Sequence, residues 1–262
     1  DTGRSQGQGC RRRGGGRRRA AGRRTLPKRF YTDVSTRQGE DGFEILLDGR
    51  PVRTPAKAKL AVPHLALAEA LAQEWAAQGT EIDPSTMPLT RLVNVALDGV
   101  ARERAAVAEE IVRYMGTDLL LYRAEGPDSL VARQAAHWDP VLDWLHQSHG
   151  ARFFLAQGIR HVAQPQDMLD RAAALVTVDD VLALTALSSI TALTGSAFLA
   201  VAVAQGAVDA ETAWAAAHVD EDWNIERWGE DTAAAHRRLT RKADMLAAER
   251  LRACRPSATA SA

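Results

Sequence analysis

The sequence predicts an α+β fold, in which a small antiparallel β-containing N-terminal domain precedes an all-α helical bundle. Three observations support this prediction. Apolar residues alternate over residues 43–47, their spacing changes to the helical period after Pro63, and almost all of the sequence beyond Val100 keeps that period. At 262 residues, the chain is long enough for one large domain or two small ones with a sizeable core.

The β-containing part is expected to begin near Phe30. Residues 43–47 carry an apolar side chain at every second position and follow a glycine-containing turn at 39–42. Asp48-Gly49 indicates a two-residue hairpin, because both positions favour positive φ. The return strand at 51–54 contains a proline, which cannot donate a hydrogen bond to a neighbouring strand. We therefore expect this strand at an edge of the sheet.

Helical periodicity dominates the rest of the sequence. Apolar residues at four-residue steps predict a helix over 64–78, whereas the prolines within 80–98 predict turns. Further predicted helices end at Gly116 and Gly150, run from Pro165 to about Val178, and cover 181–208, 209–228 and 230–253. Pro140 fits a helix that Asp139 caps, and otherwise kinks a longer helix.

Residues 181–208 contain no charged side chain and are the candidate for a membrane-spanning helix. Several Ser, Thr and Gly residues interrupt this stretch, and acidic rather than basic residues flank it directly, so a positive anchor is missing on both sides. Two short core helices separated near Gly195 explain the stretch better. Stable membrane insertion is therefore not expected.

Charge is unevenly distributed along the chain. Basic and acidic residues both number 33, but residues 1–29 have a net charge of +10 and residues 30–262 a net charge of −10. The basic segment is rich in Arg and Gly and has no aromatic residue, a composition typical of disorder. We predict a disordered tail (1–27), a β-rich N-terminal domain (28–98), an all-α C-terminal domain (99–254) and a disordered C-terminal tail (255–262).

Most signatures of catalysis and of metal or cofactor binding are missing. Cys10 and Cys254 are too few for a disulfide framework or a Cys-x-x-Cys metal site. The sequence has no phosphate-binding loop, no dinucleotide-binding glycine motif in the required context and no nucleophile elbow. His146 and His149 share a helix face without a clear third ligand, so no metal site is predicted.

The segment 209–229 carries the most informative pattern in the sequence. As one continuous helix, it places on one face the side chains of Trp214, His218, Glu221, Ile225 and Trp228. Because burial of an unpaired carboxylate is costly, Glu221 is expected to pair with His218 or Arg227 at the rim of the bundle, or to act in an apolar groove. In a groove, Glu221 is a general acid/base or a contact for an arginine of a partner.

Short motifs occur throughout residues 28–254. They are Lys28-Arg29-Phe30-Tyr31, Gly42-Phe43-Glu44-Ile45 with Leu47-Asp48, Val52-x-Thr54-Pro55, Glu74-Trp75, Met87-Pro88-Leu89-Thr90 with Asn94 and Leu97-Asp98, Thr117-Asp118 with Tyr122-Arg123, Trp138-Asp139-Pro140 with Trp144, and Glu221-x-Trp223 before Trp228-Gly229. In this order and at these spacings, the chain resembles the mitochondrial and alphaproteobacterial family of ATP synthase assembly chaperones that handle the α subunit of the catalytic head.

The resemblance implies a chaperone without enzymatic activity that holds the free α subunit and shields its interface until β subunits replace it. The family's important acidic residue aligns with Glu221, and Trp214, Trp223 and Trp228 are candidate client contacts beside it. Relatives often have tyrosine where this chain has Trp223.

We accordingly expect no cofactor and no nucleic-acid partner, a monomer when free, and a location in the bacterial cytoplasm, or in the matrix for mitochondrial relatives. Two alternatives stay open. One is a small-molecule enzyme that uses Glu221 as a general acid/base in an apolar pocket. The other is RNA binding through the Arg/Gly tail, which the absence of stacking aromatics and the acidic charge of the body disfavour.

Overall fold

The computed structural model describes residues 25–158 and 160–253, in which short strands come first and helices, with two further short strands between them, follow. The strands are β1 (Val34–Gly39), β2 (Gly42–Leu47), β3 (Arg50–Pro51), β4 (Ala61–Val62), β5 (Tyr122–Arg123) and β6 (Ala156–Gln157). The helices are α1 (Leu65–Ala76), α2 (Pro88–Asp98), α3 (Arg104–Met115), α4 (Asp128–His149), α5 (Gln166–Ala173), α6 (Val181–Thr194), α7 (Ala197–Ala204), α8 (Ala210–Ala217), α9 (Val219–Trp228) and α10 (Thr232–Ala253). The predicted α+β class is confirmed.

The antiparallel sheet is built around β2. Strand β1 pairs with it across the predicted turn, β3 returns along it after the hairpin, and β4 pairs with its beginning. Asp48 and Gly49 have φ values of 47° and 76°, as the hairpin requires. The return strand is shorter than predicted because regular pairing ends at Pro51, and only a single bridge between Arg53 and Lys59 follows.

The two helices of the N-terminal part are tied together by a side chain near the C-terminal end of α1. Helix α1 confirms the prediction over 64–78, but α2 begins at Pro88, where the sequence predicts a turn. The Glu74 carboxylate accepts hydrogen bonds from the amides of Leu89 and Thr90 at 2.8 and 2.7 Å, which satisfies the first amides of α2. Two of the motifs quoted above, at 74–75 and 87–90, thus meet in one contact.

The helical part resolves two alternatives that the sequence leaves open. Helix α4 continues through Pro140, and Asp139 pairs with Arg123 at 2.7 Å instead of capping a separate helix. The uncharged stretch 181–208 forms α6 and α7, separated at Gly195 with a φ of 69°, which confirms the prediction of two short helices. In the described part of the chain, no helix is long and apolar enough to cross a membrane.

Two hydrophobic clusters form the interior of the molecule. The larger one lies among helices α3 to α10, and the smaller one lies between the β1–β4 sheet and helices α1 and α2. Leu182 and Ala186 of α6, with Ala247 and Leu251 of α10, belong to the smaller cluster. Helices α6 and α10 therefore hold the N-terminal part against the bundle. The domain boundary at residues 98–99 stays a prediction.

Candidate functional site

The segment predicted as one helix over 209–228 forms two helices, α8 and α9. Helix α8 begins after Asp209, whose carboxylate accepts a hydrogen bond from the Thr212 amide at 2.7 Å. His218 leaves helical geometry with φ −111° and ψ 17°, and α9 starts at the next residue. The prediction of a single continuous helix face is therefore wrong, because the backbone departs from the helical path at His218.

Trp214 and His218 lie inside the bundle. They are 5% and 6% exposed, and their rings stack with centroids 3.8 Å apart. His218 Nδ1 lies 2.8 Å from the Trp214 carbonyl oxygen, which can only accept, so Nδ1 carries the proton. Burial lowers the pKa of His218 and keeps the ring neutral at neutral pH. Trp214 thus supports the imidazole whose other nitrogen faces Glu221.

Glu221 is held loosely at the surface of the molecule. Its side chain is 44% exposed, and its Oε2 atom lies 3.8 Å from His218 Nε2 and 3.9 Å from Arg238 Nη1. Both distances exceed a normal hydrogen bond. The sequence predicts His218 or Arg227 as the partner of Glu221. His218 lies next to it, whereas the Arg227 guanidinium packs on the Trp223 ring. Arg238 was not predicted because it comes from another helix, α10.

The two tryptophans of α9 have different environments. Trp223 is half-buried, and the Arg227 guanidinium lies 3.9 Å from its ring centroid. Trp228 is 82% exposed at the end of α9. The structure therefore places Glu221 and Trp228 on the surface and Trp214 in the core, with Trp223 between these extremes. The four candidate side chains do not form one exposed face.

The first turn of α9 carries three consecutive carboxylates, whose negative charges interact favourably with the positive N-terminal end of the helix dipole. Asp220 accepts a hydrogen bond from Gln134, and Asp222 accepts one from Arg238. Glu221, between them, has no partner within hydrogen-bond distance among the described residues. Its oxygens are available to a cation or an N–H donor that approaches from outside.

Helix α4 holds α9 in place through side chains that the sequence did not mark. Gln134 is 1% exposed; its Nε2 donates to Asp220 Oδ1 at 2.7 Å, while its Oε1 accepts from the Ala124 amide at 2.9 Å. Arg133 binds both carboxylate oxygens of Glu226 at 2.8 Å. A glutamine inside a helix gives no sequence signal for this role, since its partners come from distant residues.

The other chemical candidates are not drawn together by the fold. Among residues 25–158 and 160–253, no group of three or more His, Cys, Asp or Glu side chains could hold a metal ion. His149 packs edge-on against Trp144, with ring centroids 4.9 Å apart. The exposure of Glu221 differs from the enclosed apolar setting that the general acid/base alternative requires. Both cysteines and the Arg/Gly stretch of the tail lie outside the described residues.

The chain is similar to known chaperones in sequence and in structure. Residues 28–146 match a family model described as ATP12 chaperone protein. The mitochondrial protein atp12 of Schizosaccharomyces pombe is 24% identical over 215 residues, which are 77% of this chain and 74% of that protein. The matched family region ends before α8 and α9, so the candidate site lies outside it.

Two solved structures extend the similarity over most of the chain. Atu1473, a candidate chaperone from Agrobacterium tumefaciens, is 50% identical with a TM-score of 0.83, covering 87% of this chain and 86% of that one. Atp12 from Paracoccus denitrificans is 41% identical with a TM-score of 0.81, covering 87% and 98%. Since identity and fold are shared over nearly the whole length of these relatives, the chain belongs to the ATP12 chaperone family, the assembly-chaperone family that its motifs resemble.

Proposed function

We propose that the protein is an ATP synthase assembly chaperone that binds the free α subunit of the catalytic head and shields its interface until β subunits replace it. Membership of the ATP12 chaperone family supports the general role. The surface of α9 supports the choice of binding site. A chaperone for one client needs an apolar patch that covers the exposed apolar surface of the client. It also needs polar groups beside this patch for specificity and release.

The observation that carries the proposal is the exposed ring of Trp228 on the same short helix as the loosely held Glu221 carboxylate. A tryptophan buries roughly 200 Å² of mainly apolar surface, and at ~25 cal/mol/Å² its burial contributes up to about 5 kcal/mol to binding. Tryptophan is also among the residues that most often dominate interfaces. Glu221 then selects a basic group on the client.

The other two tryptophans support this surface. Trp214 is a buried positioning residue in the proposal, because its ring and carbonyl hold His218 against Glu221. Trp223 contacts the client with the part of its ring that Arg227 leaves uncovered. Residues 30–262 have a net charge of −10, which accelerates encounter with a basic client surface and weakens as salt rises.

The proposal is tested by co-purification of the full chain with the α subunit of the ATP synthase. We expect a stoichiometric complex, suppression of α-subunit aggregation, and release of the chaperone when β subunits are added. A free chain that elutes as a monomer in size-exclusion chromatography with light scattering fits the same proposal. The absence of a complex at micromolar concentrations of both proteins contradicts it.

The bacterial relatives support a cytoplasmic location as part of the proposal. Similarity of 50% and 41% identity to proteins of two bacteria supports action in the bacterial cytoplasm, where α and β subunits are assembled. Fractionation of the source cells, with detection of the chaperone and the α subunit in the same fraction, checks this part. Recovery of the chaperone in a compartment that lacks the α subunit overturns it.

A further inference from the structure

A groove with an apolar floor lies between α8–α9 and the first half of α10. Its volume is about 460 Å³. Trp214, Ala235 and Leu239 provide its apolar surface, and charged residues of α8, α9 and α10 form its edges. Trp214, although only 5% exposed, is among the residues that line this groove. We call this feature the α8–α10 groove.

The charges along the α8–α10 groove are unequally compensated. Lys242 binds Glu211 at 2.6 Å, and Arg238 is bonded to Asp222, so both cations at the groove are neutralised by carboxylates of the opposite wall. Glu230 also lines the groove, and no basic side chain of the described residues pairs with it. Among the residues that line the groove, the charge that remains uncompensated is therefore negative.

Glu221 adds to the negative charge at the same place. Its Oε2 atom lies 3.9 Å from Arg238, a residue that lines the groove, and Arg238 is already bonded to Asp222. The Arg238 side chain therefore links Glu221 to the groove. A basic ligand seated in the groove meets Glu230, and an acidic ligand is repelled there. Glu221 lies outside the lining, beyond Arg238, and Arg241 is a further charge that acts on its neighbour His218.

Leu239 stands at the edge of the groove with 68% of its surface exposed. A leucine beside charged side chains gains stability when an apolar partner covers it. Leu246 lies seven residues further along α10, hence on the same side of the helix, and is 39% exposed, but it does not line the groove. Comparison of substitutions at these two leucines therefore distinguishes an effect of the groove from an effect of any exposed position on α10.

We propose that the α8–α10 groove binds a client segment in which an apolar side chain is flanked by Lys or Arg. The apolar side chain packs on Leu239 and on the small exposed part of the Trp214 ring, and the basic neighbour pairs with Glu230 on the side of the groove nearest Glu221. This inference rests on the proposed function, since the client is the free α subunit. It specifies the chemistry of the segment that is recognised.

The test compares Leu239→Glu with the matched control Leu246→Glu in the full chain. The affinity of each protein for purified α subunit is measured at low and moderate salt, with circular dichroism as the check on folding. We expect L239E to bind at least about tenfold more weakly, as for removal of a central apolar contact, and L246E to stay within about twofold of the unsubstituted protein. Glu230→Lys weakens binding mainly at low salt.

A photo-crosslinking residue placed at position 239 identifies the occupant. We expect mass spectrometry to find an α-subunit peptide with an apolar residue next to Lys or Arg. Unchanged affinity of L239E, equal losses for L239E and L246E, or crosslinks to a segment without basic residues overturn the groove proposal while the complex itself stands. Crosslinks to a second copy of the chain make the groove a self-association surface instead. If the unsubstituted chain fails to bind the α subunit, the proposed function fails as well.

Discussion

Two carboxylates of this protein, Asp118 and Glu221, occupy opposite environments. Asp118 is completely buried and accepts hydrogen bonds from the Ser196 hydroxyl at 2.7 Å and from the amides of Phe198 and Leu120 at 3.0 and 3.1 Å. Glu221 is half-exposed, with its nearest basic groups at 3.8 and 3.9 Å. The first is surrounded by donors of the protein, whereas the second keeps its acceptors open to solvent.

The difference separates a residue that holds the fold from one that is available to a partner. Asp118 links the start of the 119–121 turn to the first turn of α7, so its donors come from two segments far apart in sequence. A buried group with its donors satisfied stabilises the structure, and removal of one partner leaves the others unpaired. Glu221 contributes little to folding because it is exposed and has no close partner, so its loss is expected to affect binding instead.

The largest effect on stability is expected from Asp118→Asn. The substitution places an N–H₂ group against donors that need an acceptor, so at least one buried hydrogen bond is lost without replacement. We expect the free energy of unfolding to fall by roughly 2–4 kcal/mol. Urea denaturation followed by circular dichroism measures this loss. A change below about 0.5 kcal/mol, the range of ordinary surface substitutions, contradicts the assigned role.

The pH dependence of the same substitution provides an independent check. Burial raises the pKa of Asp118 from its ordinary 3.8 to about 7 in the folded protein. The folded state therefore binds more protons than the unfolded state between these values, and the contribution of this group is full below pH 3.8 and is lost as the pH rises through 7. The cost of D118N should be larger at pH 5 than at pH 8. An equal or larger cost at pH 8 contradicts this.

A smaller loss is expected from Gln134→Ala on α4. The substitution removes the bridge from the Ala124 amide to Asp220 and leaves both without their partner, although Asp220 is close to solvent. We expect a loss of about 1–2 kcal/mol in the free energy of unfolding and faster hydrogen exchange in α9. Gln134→Glu keeps the acceptor for the Ala124 amide but replaces the donor to Asp220 with a second carboxylate, so it should loosen α9 as well. Unchanged exchange in α9 with Gln134→Ala contradicts the positioning role.

The fold was predictable where local signals act alone. Asp48-Gly49 and Gly195 have the positive φ values that their positions indicate, so the hairpin and the break in 181–208 could be read from neighbouring residues. The prediction of a turn at Pro88 is wrong because a proline also suits the first position of a helix. Glu74, which accepts a hydrogen bond from the first free amide of α2, lies outside the local sequence. The break at His218 has no glycine or proline to mark it.

The candidate site was predictable only in part, because its geometry depends on contacts between distant segments. Glu221 stood out as a carboxylate among aromatic residues, and the structure leaves it exposed. Its neighbour Arg238 comes from α10 and the support of Gln134 from α4, so no pattern within 209–229 indicates them. The motif residue Asp118 is buried by the fold, which shows that a family motif does not by itself mark a binding residue.

Glu221→Lys should leave the fold intact and impair client handling. The side chain has no close partner, so we expect a stability change within about 0.5 kcal/mol, while a lysine repels a basic client and lowers protection of the α subunit against aggregation. Glu109→Lys on α3 has the same change of charge at another exposed site and is the matched control. Normal protection by folded E221K, or equal loss with E109K, contradicts the assignment of Glu221.

The smallest effect is expected from deletion of the basic tail, and the structure places the boundary of that deletion. The sequence suggested residues 1–27, but the Pro27 carbonyl accepts a hydrogen bond from the Ile82 amide at 2.8 Å, and Lys28 bridges to Glu81. Removal of residues 1–24 spares these contacts, so we expect the free energy of unfolding to change by less than about 0.5 kcal/mol. Client affinity should also persist, because Glu221 and Trp228 belong to the acidic body. Weaker binding after this deletion, measured at matched ionic strength, assigns the tail a part in client recognition.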